Sequence, residues 1–346
     1  MVRSGYEWNA AHRRKIQAEF SYYVEAKRIK TELDSLPKAL AIECLLKRIS
    51  SNHHQRDYLE NQFHRASAGI RGEDRMVNKF KEFTMKEEHL PMWDLNMKIK
   101  KWTVQIDGLL LTERCAIVMD SKNVSGEIHY NAATEEYYKK AMPGGEILHL
   151  DNPVFQLDKH INFMENWFAS QGINLPVKGL IIYTAKNCVF QSKPTGALIC
   201  KTYQMNGYLH RILRDSPLTA VSHPLQDIEK LIAANQVPFE LSPLSETYRI
   251  NFKDLKTGVY CNKCGGHGMQ RVKKSWICSA CGNKDAAADR LAVQEYFALV
   301  SDELTNRKFR EFSGITDSDA ARRVLSKYDL EISGVRKMRV YKMRKK

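Results

Sequence analysis

The sequence has no long hydrophobic run. Its apolar stretches, such as residues 116–119 and 180–183, are far shorter than the roughly 20 residues that a membrane-spanning helix needs. The first residues, MVRSGYEWNA, also lack the apolar core of a secretory signal peptide. We therefore expect no membrane-spanning segment and no membrane partner, and we predict a cytoplasmic protein.

The cysteines lack the pattern of a disulfide-bonded protein, although their number could suggest one. Of the eight in the chain, four belong to two CxxC pairs, and the others stand singly in apolar surroundings: Cys44, Cys115, Cys188 and Cys200. Single cysteines in such surroundings are typical of buried thiols, and paired ones are typical of metal sites. This pattern agrees with a reducing compartment.

Acidic residues are outnumbered by basic ones. The chain of 346 residues has 54 Lys+Arg against 40 Asp+Glu, a net charge of +14 and a pI near 9.3. Such an excess favours polyanionic partners such as nucleic acids, because neutralised phosphates release counterions. An ordinary basic surface is the alternative. The length and the hydrophobic fraction of 43% predict two or three globular domains.

Glycine is absent between Tyr6 and His64, where Ala, Glu, Lys, Leu and Arg are common and Pro37 is the one proline. This composition predicts a helical hairpin over residues 1–66. Apolar residues recur there at helical spacing, among them Phe20, Val24, Ile29 and Leu33. We expect this segment to pack on the next domain or to self-associate, so that it would support a homo-oligomer or bind a protein partner.

A mixed α/β domain is predicted over residues 67–232. Gly69 is expected to open a helix that ends near residue 83, and strands with an intervening helix are expected from Trp93 to about Tyr203. The fold class is therefore α/β, with a mixed sheet flanked by helices. Residues 233–257 contain prolines and little periodicity, which predicts a linker.

Two adjacent predicted strands, residues 105–111 and 115–122, place carboxylates opposite each other. If the hairpin between them is symmetric, with paired residue numbers that add up to 227, Asp107 faces Asp120. Carboxylates paired in this way have Cβ atoms about 4.5–5.5 Å apart and repel each other, which indicates a divalent cation between them. A three-residue loop would shift the register by one.

Lys122 lies two residues beyond Asp120, so both side chains project from the same face of the strand. An ammonium group at this place could orient an attacking water or offset negative charge during phosphodiester hydrolysis. An Asp-x-Lys triplet is more often a solvated pair on an exposed strand, which is the alternative. The apolar residues 116–119 before it favour a buried strand end.

Four short motifs follow one another between residues 68 and 190. They are Gly72-Glu73; Gln105-Ile106-Asp107; Asp120-Ser121-Lys122-Asn123 with Gly126; and Asn152-Pro153-Val154-Phe155-Gln156 followed by His160-Ile161. This order resembles the nuclease-related domain (NERD) family of the PD-(D/E)xK nuclease group. The resemblance implies a PD-(D/E)xK-like sheet in which Glu73, Asp107 and Asp120 bind Mg²⁺ or Mn²⁺. It also implies that Lys122 is the catalytic lysine and that Gln156 assists from the following helix.

The chain departs from the family at one position, because the family more often has glutamate where this chain has Asp120. Aspartate at this position is accepted in the wider PD-(D/E)xK group. Alternative roles stay open for the other residues. Glu73 could stabilise the amino terminus of a helix, Gln156 could be a buried amide, and His160 is more often a core or surface histidine than a ligand.

A zinc ribbon is predicted over residues 258–285. Two CxxC motifs are separated by thirteen residues, and their cysteines are Cys261, Cys264, Cys278 and Cys281. Four thiolates at this spacing predict a closed, structural Zn²⁺ site, with disulfide or redox-active cysteines as the alternative. Near Trp276, a basic surface that could bind nucleic acid, or could simply be solvated, comprises Arg271, Lys273 and Lys274.

The sequence pattern of residues 286–346 predicts a small helical module that resembles a winged helix. Helix, glycine-containing turn and helix follow in order, and a wing strand is expected near residues 335–343. From Thr305 to Lys346 there are 13 Lys+Arg and 5 Asp+Glu, a net charge of +8. The exposed recognition helix would carry Ser318, Arg322 and Arg323. A disordered basic tail beyond Arg336 is the alternative.

Together with the resemblance, these patterns predict a metal-dependent nuclease that hydrolyses phosphodiester bonds, with DNA as the expected substrate. Mg²⁺ or Mn²⁺ would be the catalytic ion and Zn²⁺ a structural one. Two other functions remain open. The chain could be an inactive DNA-binding regulator that retains the nuclease fold, or a scaffold whose helical hairpin recruits a partner.

Overall fold

A computed structural model describes residue 33 and residues 35–140, 145–218, 223–239, 241–335 and 338–344. The chain divides into two compact units. We call residues 64–239 the central unit, and residues 1–63 together with 240–346 the terminal unit. Residues 1–32, which hold most of the first predicted helix of the hairpin, lie outside the described residues.

The described residues form these helices: α1 (Lys38–Arg48), α2 (Arg56–Phe80), α3 (Pro153–Ser170), α4 (Met205–Asp215), α5 (Leu225–Ala234), α6 (Leu244–Thr247), α7 (Ala288–Leu299), α8 (Asn306–Ser313) and α9 (Ser318–Leu325). None of them combines the length with the hydropathy that a helix needs to cross a bilayer. The strands of the described residues are β1 (His89–Ile99), β2 (Trp102–Thr112), β3 (Ala116–Lys122), β4 (Gly126–Asn131), β5 (Glu136–Lys140), β6 (Ile147–Leu150), β7 (Val177–Tyr183), β8 (Cys188–Phe190), β9 (Ile199–Lys201), β10 (Gln270–Val272), β11 (Ser275–Ile277), β12 (Lys284–Asp285), β13 (Leu304–Thr305), β14 (Leu330–Ser333) and β15 (Val340–Met343).

The central unit contains a five-stranded mixed sheet in the order β1-β2-β3-β7-β9. The β1–β2 and β2–β3 pairs are antiparallel, whereas β3–β7 and β7–β9 are parallel. A smaller sheet has the order β6-β5-β4-β8. The predicted fold class, a mixed α/β sheet flanked by helices, is therefore confirmed.

Helices cover both faces of the mixed sheet. The side chains of Ala116 and Val118 belong to one core cluster with α3, and those of Ile117 and Met119 belong to another with α2 and α4. A strand covered on both faces has no polar side, so its sequence is a continuous apolar run. The charged residues at the end of β3 consequently lie next to a fully buried strand.

Helix α2 begins earlier than predicted. We expected one helix to end near residue 66 and Gly69 to open another, but a single helix includes both segments. Gly72 lies within this helix. A Cβ atom at this position would be 2.8 Å from Thr184 Oγ1 and 2.9 Å from Asn123 Cβ, which leaves no room for a side chain. Close packing, and not helix initiation, therefore accounts for glycine at this position.

The segment after Pro37 forms a short helix and not one long arm of a hairpin. Helix α1 ends at Arg48, and residues 49–55 separate it from α2. The predicted linker, residues 233–257, is also more ordered than expected, since it contains α6 and the buried side chains of Leu244 and Ile250. Apolar residues at irregular spacing carry no periodic signal, which is why these short elements were missed.

In the terminal unit, strands β10, β11 and β12 form a three-stranded sheet, and β13, β15 and β14 form another in that order. Helix α7 contacts α1, α6 and α8. The chain order of the last part is α7, β13, α8, α9, β14 and β15. Its core comprises aromatic and aliphatic residues from all these elements, including Tyr296, Phe309 and Val324.

One buried carboxylate joins several parts of the terminal unit. Asp289 of α7 is fully buried and accepts hydrogen bonds from Trp276 Nε1 (3.2 Å), Lys327 Nζ (2.8 Å) and the Tyr328 hydroxyl (2.5 Å). Trp276 lies on ribbon strand β11, whereas Lys327 and Tyr328 follow α9. A buried charge is tolerated when it is paired and hydrogen-bonded, so these contacts hold the ribbon and the last helices to α7.

Candidate active site

The hairpin β2–β3 has the predicted register. The two residue numbers of every pair add up to 227, from Gly108 with Met119 to Leu111 with Ala116. The Thr112 N–H donates to the Cys115 carbonyl (3.2 Å), which closes a two-residue turn. Asp107 lies one residue beyond the last pair, and its Oδ2 accepts a hydrogen bond from the Ser121 N–H (2.8 Å).

At the carboxyl end of β3, the side chains of Asp120, Lys122 and Gln156 lie together. Lys122 Nζ donates to Gln156 Oε1 (2.7 Å) and lies 3.8 Å from Asp120 Oδ2. Gln156 is exposed, so it is not the buried amide that we considered as an alternative. Lys122 is partly buried, and its side chain is 20% exposed, so it is not a freely solvated lysine.

His160, which the sequence analysis favoured as a core or surface histidine, contacts the same carboxylate. Its Nδ1 lies 3.0 Å from Asp120 Oδ1, and both residues are buried. His160 lies four residues after Gln156, so both project from the same side of α3. That spacing was the available signal, because a helix face that carries one site residue often carries a second. His160 is therefore a core histidine, but its contact with Asp120 was not predicted.

The other oxygen of Asp120 has no hydrogen-bond partner. Asp120 is fully buried, and its Oδ2 is among the buried side-chain atoms without a partner in the described part of the chain. An unsatisfied buried carboxylate oxygen is costly unless a cation or a donor occupies the adjacent space. This oxygen therefore fits a metal ligand, with the Lys122 ammonium close to it.

Glu73 is placed by the packing of α2 against the ends of β3 and β7. Asn123 Nδ2 donates to the Ala68 carbonyl (2.6 Å), and an Arg75 guanidinium nitrogen donates to Asn123 Oδ1 (3.1 Å) and to the Thr184 carbonyl (3.0 Å). Glu73 lies well inside the helix, so it does not stabilise a helix amino terminus as the alternative required. The sequence predicted Glu73 as a site residue but not these contacts, which hold the helix that carries it.

Asp94 is a fourth carboxylate that the sequence analysis missed. The pairs Trp93 with Gly108 and Leu95 with Ile106 place it opposite Asp107 on β1. Its φ of 50° is unusual for a residue other than glycine inside a strand. Its Oδ1 accepts a hydrogen bond from Gln105 Nε2 (2.8 Å).

These carboxylates disfavour one another's ionisation. Burial raises the pKa of Glu73 to about 7, and the negative charges of Asp107, Asp94 and Asp74 add to the effect. Burial also raises the pKa of Asp107, with a further contribution from Asp120. Uncompensated negative charge of this kind is what a divalent cation would neutralise.

The oxygen atoms of Glu73, Asp107 and Asp120 do not form a compact set of ligands. Within the described ranges, the one group of three or more His, Cys, Asp or Glu whose ligand atoms all lie within 4.8 Å of one another is formed by four cysteines. Glu73, Asp107 and Asp120 are therefore spread more widely than that as a set. Open spacing suits Mg²⁺, which retains several waters and is bound through few carboxylates.

Residues 68–184 match the family model of the nuclease-related domain, NERD. The chain contains a nuclease-related domain. The match extends from Ala68, whose carbonyl accepts a hydrogen bond from Asn123, to Thr184, whose carbonyl accepts one from Arg75. It therefore includes all the predicted catalytic residues. No curated protein and no solved structure matched the chain.

The four paired cysteines lie outside the nuclease-related domain, in the terminal unit. Their Sγ atoms lie within 4.8 Å of one another and could hold a metal ion. Gly265 and Gly282, with φ of 70° and 68°, follow the two knuckles and donate N–H groups to the carbonyls of Cys261 and Cys278. Backbone N–H groups of Cys281 and Ala280 lower the pKa of Cys278 to about 7, whereas burial and hydrogen bonds with the other cysteines raise the pKa of Cys264 to about 12.

The residues predicted to contact nucleic acid also lie in the terminal unit. Lys273 and Lys274 are exposed at the turn between β10 and β11, but a guanidinium nitrogen of Arg271 binds Asp289 (3.2 Å). Ser318, Arg322 and Arg323 are exposed on α9. Both arginines form ion pairs with aspartates, at 3.2 Å with Asp319 and 3.6 Å with Asp317. The positive charge of this helix face is thus partly compensated.

Without divalent metal, the protein is expected to lose stability as the pH rises from about 4.5 to about 7. Glu73 has an ordinary pKa of 4.5, and its folded-state pKa is about 7. In this window the folded state keeps a proton that the unfolded state has released, so rising pH favours unfolding. The loss is on the order of 2 kcal/mol after allowance for screening by solvent at this partly exposed carboxylate. Thermal melts between these pH values would measure it.

The Glu73→Gln variant should lack this part of the pH dependence, whereas Asp74→Asn, at the exposed neighbouring position, should largely keep it. Addition of Mg²⁺ or Mn²⁺ at pH 7 should raise the melting temperature of the wild type more than that of Glu73→Gln. Identical pH profiles for wild type and Glu73→Gln would show that Glu73 is not the group responsible.

Proposed function

We propose that this protein is a metal-dependent nuclease that hydrolyses phosphodiester bonds, with DNA as the preferred substrate. The observation that carries the proposal is the end of β3. There a buried Asp120 oxygen without a hydrogen-bond partner lies 3.8 Å from the Lys122 ammonium, which donates a hydrogen bond to Gln156. The match to the nuclease-related domain supports the same function.

Asp107, Asp120 and Glu73 are the residues that would hold Mg²⁺ or Mn²⁺. When bound, such an ion lowers the pKa of a bound water and offsets charge on the phosphate oxygens. The Lys122 ammonium would orient the attacking water and offset negative charge as the new P–O bond forms and the old one breaks. Gln156 would restrict Lys122 to that position through its 2.7 Å hydrogen bond.

The terminal unit would supply affinity for the substrate. The order helix, strand, two helices and two strands, with sheet order β13-β15-β14, supports a winged helix at the carboxyl end. We propose that the four cysteines bind Zn²⁺ as a closed structural site and that Lys273, Lys274, Arg322 and Arg323 contact nucleic acid. A cytoplasmic location, and a homo-oligomer or partner contact through residues 1–66, remain predictions.

A second function has two observations in its favour. The carboxylates are spread more widely than the cysteine site, and Asp120 has a shorter side chain than the glutamate more common in this family. A chain with those features could bind DNA without cutting it. The nuclease-related domain would then serve as a binding module.

Cleavage of supercoiled and linear plasmid DNA, and of an RNA of equal length, distinguishes these functions. The zinc-loaded wild type should cut DNA in Mg²⁺ or Mn²⁺ and stop when EDTA is added. Asp107→Ala should not cut, because it lacks a carboxylate of the metal site, and Asp254→Ala, outside the domain, should cut normally. A folded wild type that binds DNA but does not cut it in either metal would support the binding-module function instead.

A further inference from the structure

Two side chains of α3 meet two side chains of β3. Gln156 binds Lys122, and His160 binds Asp120, at 2.7 Å and 3.0 Å. Residues four apart on a helix are separated by about 6 Å, and residues two apart on a strand by nearly 7 Å, so the two pairs match in spacing. The helix also runs opposite to the strand, as expected in a crossover between the parallel strands β3 and β7.

The imidazole occupies a place where an apolar side chain would be expected. The buried residues of α3 form a stripe at helical spacing: Pro153, Leu157, His160, Phe163, Met164, Trp167 and Phe168. His160 is 5% exposed within this otherwise apolar stripe. A buried imidazole is unfavourable unless it is hydrogen-bonded, and packing alone would favour an apolar side chain at this position. The contact with Asp120 therefore accounts for the histidine.

The two oxygens of Asp120 differ in their surroundings. A carboxylate oxygen accepts, so His160 Nδ1 carries the proton and donates to Oδ1. Among the described residues, His160 is the side chain that hydrogen-bonds Asp120, since Lys122 Nζ lies 3.8 Å away. Oδ2 has no hydrogen-bond partner and lies 3.8 Å from Lys122 Nζ. The carboxylate is therefore hydrogen-bonded through one oxygen only.

We propose that His160 is a positioning residue that orients Asp120 through Oδ1, so that Oδ2 is presented to the catalytic cation. This inference rests on the proposed function, because it assigns the role of Asp120 as a metal ligand. Partners that orient a ligating carboxylate raise the affinity of a site for its metal without touching the metal. His160 would thus act on metal binding before any substrate is present.

Mn²⁺ binding to the zinc-loaded full-length protein, followed by the EPR signal of free Mn²⁺ without DNA, tests this role. His160→Gln and His160→Leu should weaken Mn²⁺ binding about 10–100-fold, whereas His160→Asn should stay within about threefold of wild type. The asparagine amide lies near the place of Nδ1 and can donate the same hydrogen bond. His160→Leu suits the apolar stripe, so it should fold even if His160→Gln does not.

His129→Gln is the matched control, because His129 lies 3.6 Å from the Glu127 carboxylate in the same unit but on β4. It should bind Mn²⁺ as the wild type does. Folded His160→Leu with wild-type Mn²⁺ affinity would overturn the inference, and so would a wild type that does not bind Mn²⁺. A wild type that binds Mn²⁺ with the expected variant pattern, but does not cleave DNA, would contradict the proposed nuclease function alone.

Discussion

Replacement of Lys122 with methionine is expected to lower the rate of DNA cleavage about 10²–10³-fold while the protein remains folded. The Nζ atom is held 2.7 Å from Gln156 Oε1 and 3.8 Å from Asp120 Oδ2, so a positive charge stands beside the proposed metal ligand. Its contribution would be greatest when negative charge builds up on the phosphate. The loss should therefore appear in kcat and much less in KM.

Lys178→Met provides the matched control. Lys178 is an exposed lysine on β7, next to β3 in the same sheet, but it pairs with Ile117 and lies away from the carboxyl end of the strand. Its loss should leave cleavage unchanged. Lys122→Arg should retain part of the activity, because the charge is kept and the geometry of the donor is altered. Wild-type kcat in folded Lys122→Met would remove Lys122 from the mechanism.

The β2–β3 hairpin shows how much of the site follows from local sequence. Residues 116–119 are apolar without alternation, which predicts a strand buried on both faces, and the two-residue turn then determines the register. The same strand assignment places the side chains of Asp120 and Lys122 together, since residues two apart on a strand share a face. These features depend on neighbours in the chain, so the sequence was sufficient for them.

Asp94 shows where strand periodicity fails. Ile106 and Leu109 both lie in the core cluster beside α3, although strict alternation would put residues three apart on opposite faces. The alternation thus slips by one residue near Asp107, opposite Asp94 with its φ of 50°. A slip of this kind depends on how two strands bend together. No pattern within either strand indicates it.

Long-range contacts account for the other omissions. Nothing in the sequence explained glycine at position 72, because it does not show that Thr184 and Asn123 would touch a Cβ atom there. Arg271 was predicted to contact nucleic acid from its basic neighbours alone. Its guanidinium binds Asp289, which is 18 positions away in sequence. In both cases the sequence does not show partners that folding brings together from distant segments.

Removal of metal from the four-cysteine site is expected to unfold the ribbon. Cys261 and Cys278 are buried in the core of the terminal unit, and strands β10, β11 and β12 contribute few residues of their own. Such short strands cannot bury enough apolar surface to be stable alone. A structural Zn²⁺ site contributes free energy on the order of 10 kcal/mol to a fold of this kind.

Trp276 reports this change, because it is buried on β11 and its Nε1 donates to Asp289 Oδ2 at 3.2 Å. A chelator, or Cys278→Ser, should expose it and shift the tryptophan emission to longer wavelength. Trp276→Phe should show much less of that shift under the same chelator, which assigns the signal to the ribbon. The central unit has its own core, so its binding of Mn²⁺ should persist in Cys278→Ser. An unchanged emission spectrum after complete removal of Zn²⁺ would show that the ribbon is stable without metal.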